Sequence, residues 1–320
     1  MANIKKRLKK NKLIAKLAKK RMELRSTQEK KRRMRQVKAD PLKANRELFV
    51  RHFGREPDLE DPKDFNEKSM WLVHNVYKDD PTVTRCVDKY EMRGYLQERG
   101  LGNLLPKVYG VWDIPSQIDW DALPDEFVLK CNHGCGCNIF CHDKSKLDRK
   151  AVARQLNKWL RINFAYYYGE INYEHVKPRV FCEEFLDDGN VQPTDYKFLC
   201  FNGEPKLVML CTDREKGAKF TFTDAGYNRL LWETGHHAGG DLPPKPASFE
   251  EMLRYAREIS KPFPFVRVDF YDIHGKLYVG EMTFSPLGST IDYIKEEGLR
   301  QMGEWLDITK EMERCHAEAD

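Results

Sequence analysis

Residues 265–284 read Phe265-Val266-Arg267-Val268-Asp269-Phe270-Tyr271-Asp272-Ile273-His274-Gly275-Lys276-Leu277-Tyr278-Val279-Gly280-Glu281-Met282-Thr283-Phe284. Two alternating segments flank a glycine-containing turn, which is the signature of a β-hairpin. Side chains alternate faces along a strand, so Arg267, Asp269 and Tyr271 share one face while Val268 and Phe270 take the other. A turn centred on His274 sets Arg267 opposite Glu281 and Asp269 opposite Val279. Asp269 and Glu281 then become diagonal neighbours, roughly 7–8 Å apart. That is close enough for two carboxylates to clasp one divalent cation, with Thr283 next along the same face. Such hard oxygen ligands suit Mg²⁺ held partly by substrate phosphates. The same spacing also describes an exposed face closed by an Arg267–Glu281 salt bridge, and a slip of one residue undoes either arrangement.

Upstream, Lys130-Cys131-Asn132-His133-Gly134-Cys135-Gly136-Cys137-Asn138 leaves the predicted strand 127–130. A lysine at a strand end followed by a loop with bare backbone N–H groups can cradle phosphates. The same stretch, with Cys141 and His142, is dense in soft ligands and invites a zinc or iron–sulfur alternative. Its spacing forms no paired C-x-x-C, and no second pair lies downstream. No Ser/His/Asp nucleophile pattern can be assigned, and His236-His237 reads as surface loop.

Working outward, Asp61–Glu67 is a helix start signal, and a further helix is predicted over Asp88–Arg99. Strands are predicted at 108–112, 127–130, 138–141, 179–185, 196–201 and 206–211. Residues 148–164 carry Val152, Leu156, Trp159 and Leu160 at helical spacing. A loop over 236–246, a helix over 249–260 and a closing helix over 292–306 complete a mixed α+β chain built largely from antiparallel hairpins.

The 320-residue chain is 41% hydrophobic and 12% aromatic, enough for a folded body of two or three lobes. No apolar run approaches the roughly 18 residues of a membrane span. The N-terminus lacks the apolar centre of a signal peptide. Nine cysteines, an odd number, do not form a secreted disulfide framework. These features predict a cytoplasmic chain. Residues 1–40 hold 17 Lys/Arg and 3 acids, leaving 38 bases and 47 acids for the rest, so a basic arm joins a mildly acidic body. With no Pro or Gly before Lys38, the arm reads as a charged helix. It suits an anionic membrane surface or a protein partner, or is a solvated extension. It lacks the aromatic residues that base stacking needs, which argues against nucleic acid.

Taken in order, Asp88-Lys89, Phe127-Val128-Leu129-Lys130, Asn132–Asn138, Glu183-Glu184-Phe185-Leu186, Asp195-Tyr196-Lys197-Phe198, Arg267-Val268-Asp269 and Gly280–Phe284 resemble ATP-grasp enzymes. Within them, the likeness is to the TupA-like group associated with surface-polysaccharide biosynthesis. It covers about residues 45–310. The resemblance implies two antiparallel-sheet lobes clasping ATP, preceded by a helical N-terminal region. The segments would be an arm (1–44), an N-terminal lobe (45–125), a lobe with phosphate loop and hinge (126–188), and a C-terminal lobe with the metal hairpin (189–320).

The resemblance also implies roles. Lys89 and Lys130 would contact the ATP phosphates, with Asn132, Gly134, Gly136 and Asn138 in the loop closing over them. Glu183 would accept from the adenine amino group, Phe185 and Leu186 would form the hinge, and Asp195 would bind ribose. Arg267 and Lys130 would act on the transferred phosphoryl group. Asp269 and Glu281 would hold Mg²⁺, with Thr283 standing where many ATP-grasp enzymes have Asn. The implied activity is a carboxylate–amine ligase acting through an acyl phosphate on a small-molecule or polysaccharide-precursor substrate. The alternative is a glycosyltransferase of the same pathways, although no D-x-D motif is well placed. The acceptor pocket is expected around Asp213-Arg214 and Trp232–Gly240, and the arm suits peripheral placement at the inner face of the membrane.

Overall fold

The computed structural model describes residues 28–187, 194–212 and 217–318. Most of the predicted basic arm and the Asp213-Arg214 part of the predicted acceptor pocket lie outside them. Residues 28–39 are helical, and the next helix, Pro41–Phe53, starts where the Asp40 carboxylate accepts the Lys43 N–H at 2.9 Å.

The start signal at 61–67 acts at Asp64. Its carboxylate accepts the Glu67 N–H while Glu67 reaches back, a capping box that opens the helix Phe65–Leu72. The helix predicted over Asp88–Arg99 is shorter, Met92–Glu98. The Asp88 carboxylate accepts from the Tyr90 and Glu91 N–H groups at 2.8 and 3.0 Å, so residues 88–91 form a turn. The helix predicted over 148–164 divides into Arg149–Leu160 and Phe164–Tyr168, because the Asn163 side chain caps a second start at Ala165 N–H.

Ten strands form two antiparallel sheets among the described residues. β1 (Val108–Trp112), β4 (Val180–Glu183), β2 (Phe127–Cys131) and β3 (Asn138–Cys141) lie in that order in the smaller sheet. The larger sheet runs β10 (Lys276–Thr283), β9 (Phe265–Ile273), β5 (Asp195–Phe201), β6 (Glu204–Thr212), β7 (Lys219–Asp224), β8 (Arg229–Leu230). Packing does not follow chain order. Residues 65–105 join the core of the larger sheet, whereas Ile118 and Leu123 join that of the smaller sheet with Phe127, Leu129 and Leu156.

The β9–β10 register differs from the one predicted. The turn has two residues, His274 and Gly275, both at positive φ (53° and 85°), so Ile273 pairs with Lys276. A bulge at Gly280 then shifts the ladder again, as an extra residue on one strand must. Asp269 consequently lies directly opposite Glu281, and Arg267 opposite Thr283. The two carboxylates are cross-strand partners, closer than the diagonal placement inferred from the sequence.

Candidate functional site

A cavity of about 440 Å³ lies between the two sheets, with β2, β3 and the 132–136 loop on one side and β5, β9 and β10 on the other. Lys89, Lys130, Gly134, Gly136 and Asn138 line the first side; Asp195, Arg267, Asp269, Glu281 and Thr283 line the second. Residues from five distant stretches of the chain therefore meet at one surface.

The centre of the second side is a charge lattice. Arg267 Nε and Nη2 donate to both oxygens of Asp269 at 2.7 and 2.8 Å, and Nη2 also donates to Glu281 Oε1 at 2.7 Å. Lys197, paired with Asp269 across β5–β9, donates to the same Asp269 Oδ2 that accepts from Arg267 Nη2 and lies 3.2 Å from Asp195 Oδ2. Lys89 Nζ sits 3.2 Å from Glu281 Oε2. Asp269 is 1% exposed and Glu281 28% exposed, so the lattice is open to the cavity mainly at Glu281. Burial opposes charge on Glu281, yet Lys89, Arg267 and Lys197 hold its carboxyl well below the ordinary value. Burial lifts Asp269, and the two cations against it oppose that lift. Burial works against charge on Arg267 too, and Asp269 and Glu281 hold its guanidinium well above the ordinary value.

The first side works differently. Asn132 is fully buried, and its side chain is consumed within the protein. Its Nδ2 donates to Asp88 Oδ2 at 2.6 Å and to the Lys177 carbonyl at 2.9 Å, while its Oδ1 accepts the Arg179 N–H at 2.7 Å. Asn132 thus fixes the loop and does not itself face the cavity. Lys89 is tied to the same loop, its N–H donating to the Asn132 carbonyl at 3.0 Å and its Nζ to the Gly134 carbonyl at 2.8 Å. Lys130 pairs with the buried Glu183 across the small sheet. Glu183, Phe185 and Leu186 do not line the cavity; the Phe185 ring instead packs edge-on against His142, with centroids 4.7 Å apart.

The soft-ligand alternative finds no support in the geometry. Among the described residues, no group of three His, Cys, Asp or Glu is arranged to hold a metal ion. Cys131, Cys137 and Cys141 belong to the small core, and His133 packs on Phe164 with its Nε2 against the Trp159 carbonyl. His237, predicted as surface, stacks on Phe220 at 4.2 Å, and Phe220 lines the cavity.

Lys197 and Glu170 line the cavity but were not singled out from sequence. Lys197 had a signal: it lies two residues after Asp195 and so shares its strand face. Glu170 had none, because it follows a turn at the end of a short helix.

The Asp269–Glu281 pair fits a hard divalent cation. Such an ion needs one or two carboxylates when nucleotide phosphates complete its shell, and Thr283 Oγ1 adds a hydroxyl 3.4 Å from Glu281 Oε1. The cations already held there show that the pair attracts positive charge.

A family model described as TupA-like ATPgrasp matches residues 67–307. Among solved structures, the chain is similar to D-alanine–D-alanine ligase from Bacillus anthracis, at 16% identity over 73% of this chain and 69% of that one, with a TM-score of 0.42. The same ligase complexed with ATP aligns over 62% of this chain and 54% of its own, at 16% identity and a TM-score of 0.36. An L-amino acid ligase from Bacillus licheniformis shares 12% identity over 78% of this chain and 56% of its own, with a TM-score of 0.42. The chain thus spans little more than half the length of two of these three. No protein of curated function matches the sequence.

Proposed function

The chain belongs to the TupA-like ATP-grasp family and has the ATP-grasp fold, and on that premise we propose that it is an ATP-dependent carboxylate–amine ligase acting through an acyl phosphate. The observation that carries this reading is the convergence of Lys89, Lys130, Lys197 and Arg267 with Asp269 and Glu281 around one cavity beside a glycine loop. A substrate carboxylate attacks the γ-phosphate of ATP, ADP leaves, and an amine then displaces phosphate from the acyl carbon. No protein nucleophile is needed. The loop amides, Lys89 and Lys130 would hold the phosphates, and Arg267 would offset charge on the transferred phosphoryl oxygens. Lys197 keeps Asp195 and Asp269 in position. Asp269, Glu281 and Thr283 would hold Mg²⁺, which neutralises phosphate charge.

Surface-polysaccharide precursors are the substrate class implied by the family resemblance. A basic arm suits a precursor held at an anionic surface, where each Lys or Arg contributes on the order of 1 kcal/mol. Among the described residues no helix is long and apolar enough to cross a membrane. The test is ADP release by the full-length chain with MgATP and a panel of amino acids and uronic acids, with hydroxylamine present to trap the acyl phosphate as a hydroxamate. Carboxylate-dependent hydroxamate formation is expected. Thermal stabilisation by UDP-sugars with none by MgATP would instead mark a glycosyltransferase; MgATP at 100 times its Kd should add about 2.7 kcal/mol.

A further inference from the structure

Among the described residues, four cations line the cavity, and each has a carboxylate partner: Lys89 with Glu281, Lys130 with Glu183, Lys197 with Asp195 and Asp269, Arg267 with Asp269 and Glu281. Glu170 is a further carboxylate lining the cavity, outside those pairs. Its place is firmly built. The helix Phe164–Tyr168 ends at Gly169, whose carbonyl accepts Asn45 Nδ2 at 2.9 Å. The Glu170 carbonyl accepts the Tyr173 N–H at 3.0 Å, and buried Asn172 accepts Ser285 Oγ at 2.7 Å. Across from it, Leu287, Gly288 and Ser289 are consecutive left-handed residues (φ 53°, 60° and 62°), and the Gly288 N–H, which donates to the Ser285 carbonyl at 3.0 Å, lies near enough to the Glu170 carboxyl to favour its charged form. Such conformations in non-glycine residues cost of order 1–3 kcal/mol each and cluster where a site must be held in one shape. Phe164, Tyr173, Pro286 and Leu287 give this part of the cavity apolar walls.

We propose that Glu170 is the amine subsite of the ligase: it holds the incoming amine as its ammonium ion and takes a proton from the nitrogen. The proposal rests on the ligase reading. A ligase needs such a group, because an ammonium ion has no lone pair with which to attack. One proton passes from nitrogen to the Glu170 carboxylate. The freed lone pair forms the N–C bond as the C–O bond to phosphate breaks, and the leaving phosphate takes the bonding pair and a second nitrogen proton. The products are the amide, hydrogen phosphate and protonated Glu170, which then releases its proton to water.

The surroundings suit the task. The groups facing Glu170 are Arg267 from β9, Glu281 from β10, Lys89 and Cys135 beside the phosphate loop, and Tyr173 from its own turn. Burial, reinforced by Glu281 and opposed by the Gly288 N–H, Arg267 and Lys89, pushes the Glu170 carboxyl up to about 7. A proton acceptor works best when its pKa lies near the working pH. Among the described residues, the other carboxylates lining the cavity, Asp195, Asp269 and Glu281, are paired with cations.

The experiment is a pH titration of the full chain carrying ¹³C at its glutamate carboxyls, read by NMR. One carboxyl is expected to titrate near 7 and to be missing from E170Q; E170D serves equally if E170Q does not fold. Methylammonium chloride should lower that midpoint, since it binds the ionised form, and tetramethylammonium chloride at the same concentration should lower it less, having no N–H to donate. Equal shifts with the two salts, or no near-neutral carboxyl lost in the variants, overturns the proposal. MgATP binding by wild-type chain in the same samples separates the two ideas. MgATP binding without a selective methylammonium shift sinks the amine subsite alone, whereas a selective shift without MgATP binding sinks the ligase reading and upholds the ammonium site.

Discussion

The β2–β3 and β9–β10 hairpins face each other across the cavity and are built on opposite plans. In β2–β3 the cavity is lined by the connecting loop at Gly134–Gly136 and by the strand ends Lys130 and Asn138, while Leu129, Cys131, Cys137 and Cys141 are buried in an apolar core. In β9–β10 the connection is a tight two-residue turn, and the surface lining the cavity lies mid-strand, where the Gly280 bulge sets Asp269 against Glu281. The first presents a glycine-containing loop, with side chains such as Asn132 spent on holding it. The second presents side-chain charge on a rigid ladder. A phosphate can be held by either, but only the second offers the hard oxygens a divalent cation needs.

The sharpest break in this comparison should come from Asp269. With 1% exposure and two cations against it, it is both a site residue and a structural one. D269N should lower carboxylate-dependent ADP release by roughly 10²–10³-fold. It should also cost about 3–5 kcal/mol in urea unfolding, because Arg267 and Lys197 lose a buried counter-charge. Glu281 is more open, so E281Q should lower turnover on the same scale while costing stability only about 1–3 kcal/mol. Equal stability losses would show that the exposure difference has no energetic weight.

Within the loop 132–136 the response should be to shape. A Cβ on Gly134 would lie 2.4 Å from Phe164 Cδ2, so G134A forces the ring aside. That should cost about 1–3 kcal/mol and weaken ATP binding, with F164A restoring part of the binding in the double variant. Calorimetry on the four combinations checks it. The smallest effect is expected at Cys135, exposed at the loop tip. C135S should change stability by less than about 0.5 kcal/mol and leave ATP affinity unchanged. Cys137 differs, being buried in the small core beside Cys131, so its replacement should be felt.

The contrast between the hairpins also marks what could be read from sequence. Strand alternation placed Arg267 and Asp269 on one face, and the ordered motifs carried the fold. The register was missed because each of two local devices, the two-residue turn and the bulge, moves the ladder by one. Neither leaves a pattern longer than a glycine. Asn132 was assigned to phosphate because its loop is, yet its buried position commits its side chain to Asp88 and the Lys177–Arg179 backbone. The Asp88–Arg99 helix was overdrawn because an aspartate that caps a turn looks, in sequence, like one that caps a helix. Apart from Tyr173 in its own turn, Glu170 lies far in sequence from the groups it faces, and only the tertiary fold brings it to the cavity.

The central claim is that β9–β10 supplies the cation-dependent half of nucleotide binding. Calorimetric titration of ATP into wild type and E281Q, each with and without Mg²⁺, tests it most directly. Mg²⁺ should tighten ATP binding to wild type, and E281Q should retain the Mg²⁺-free affinity while losing most of that gain. An E281Q variant whose ATP affinity responds to Mg²⁺ as wild type does would contradict the account.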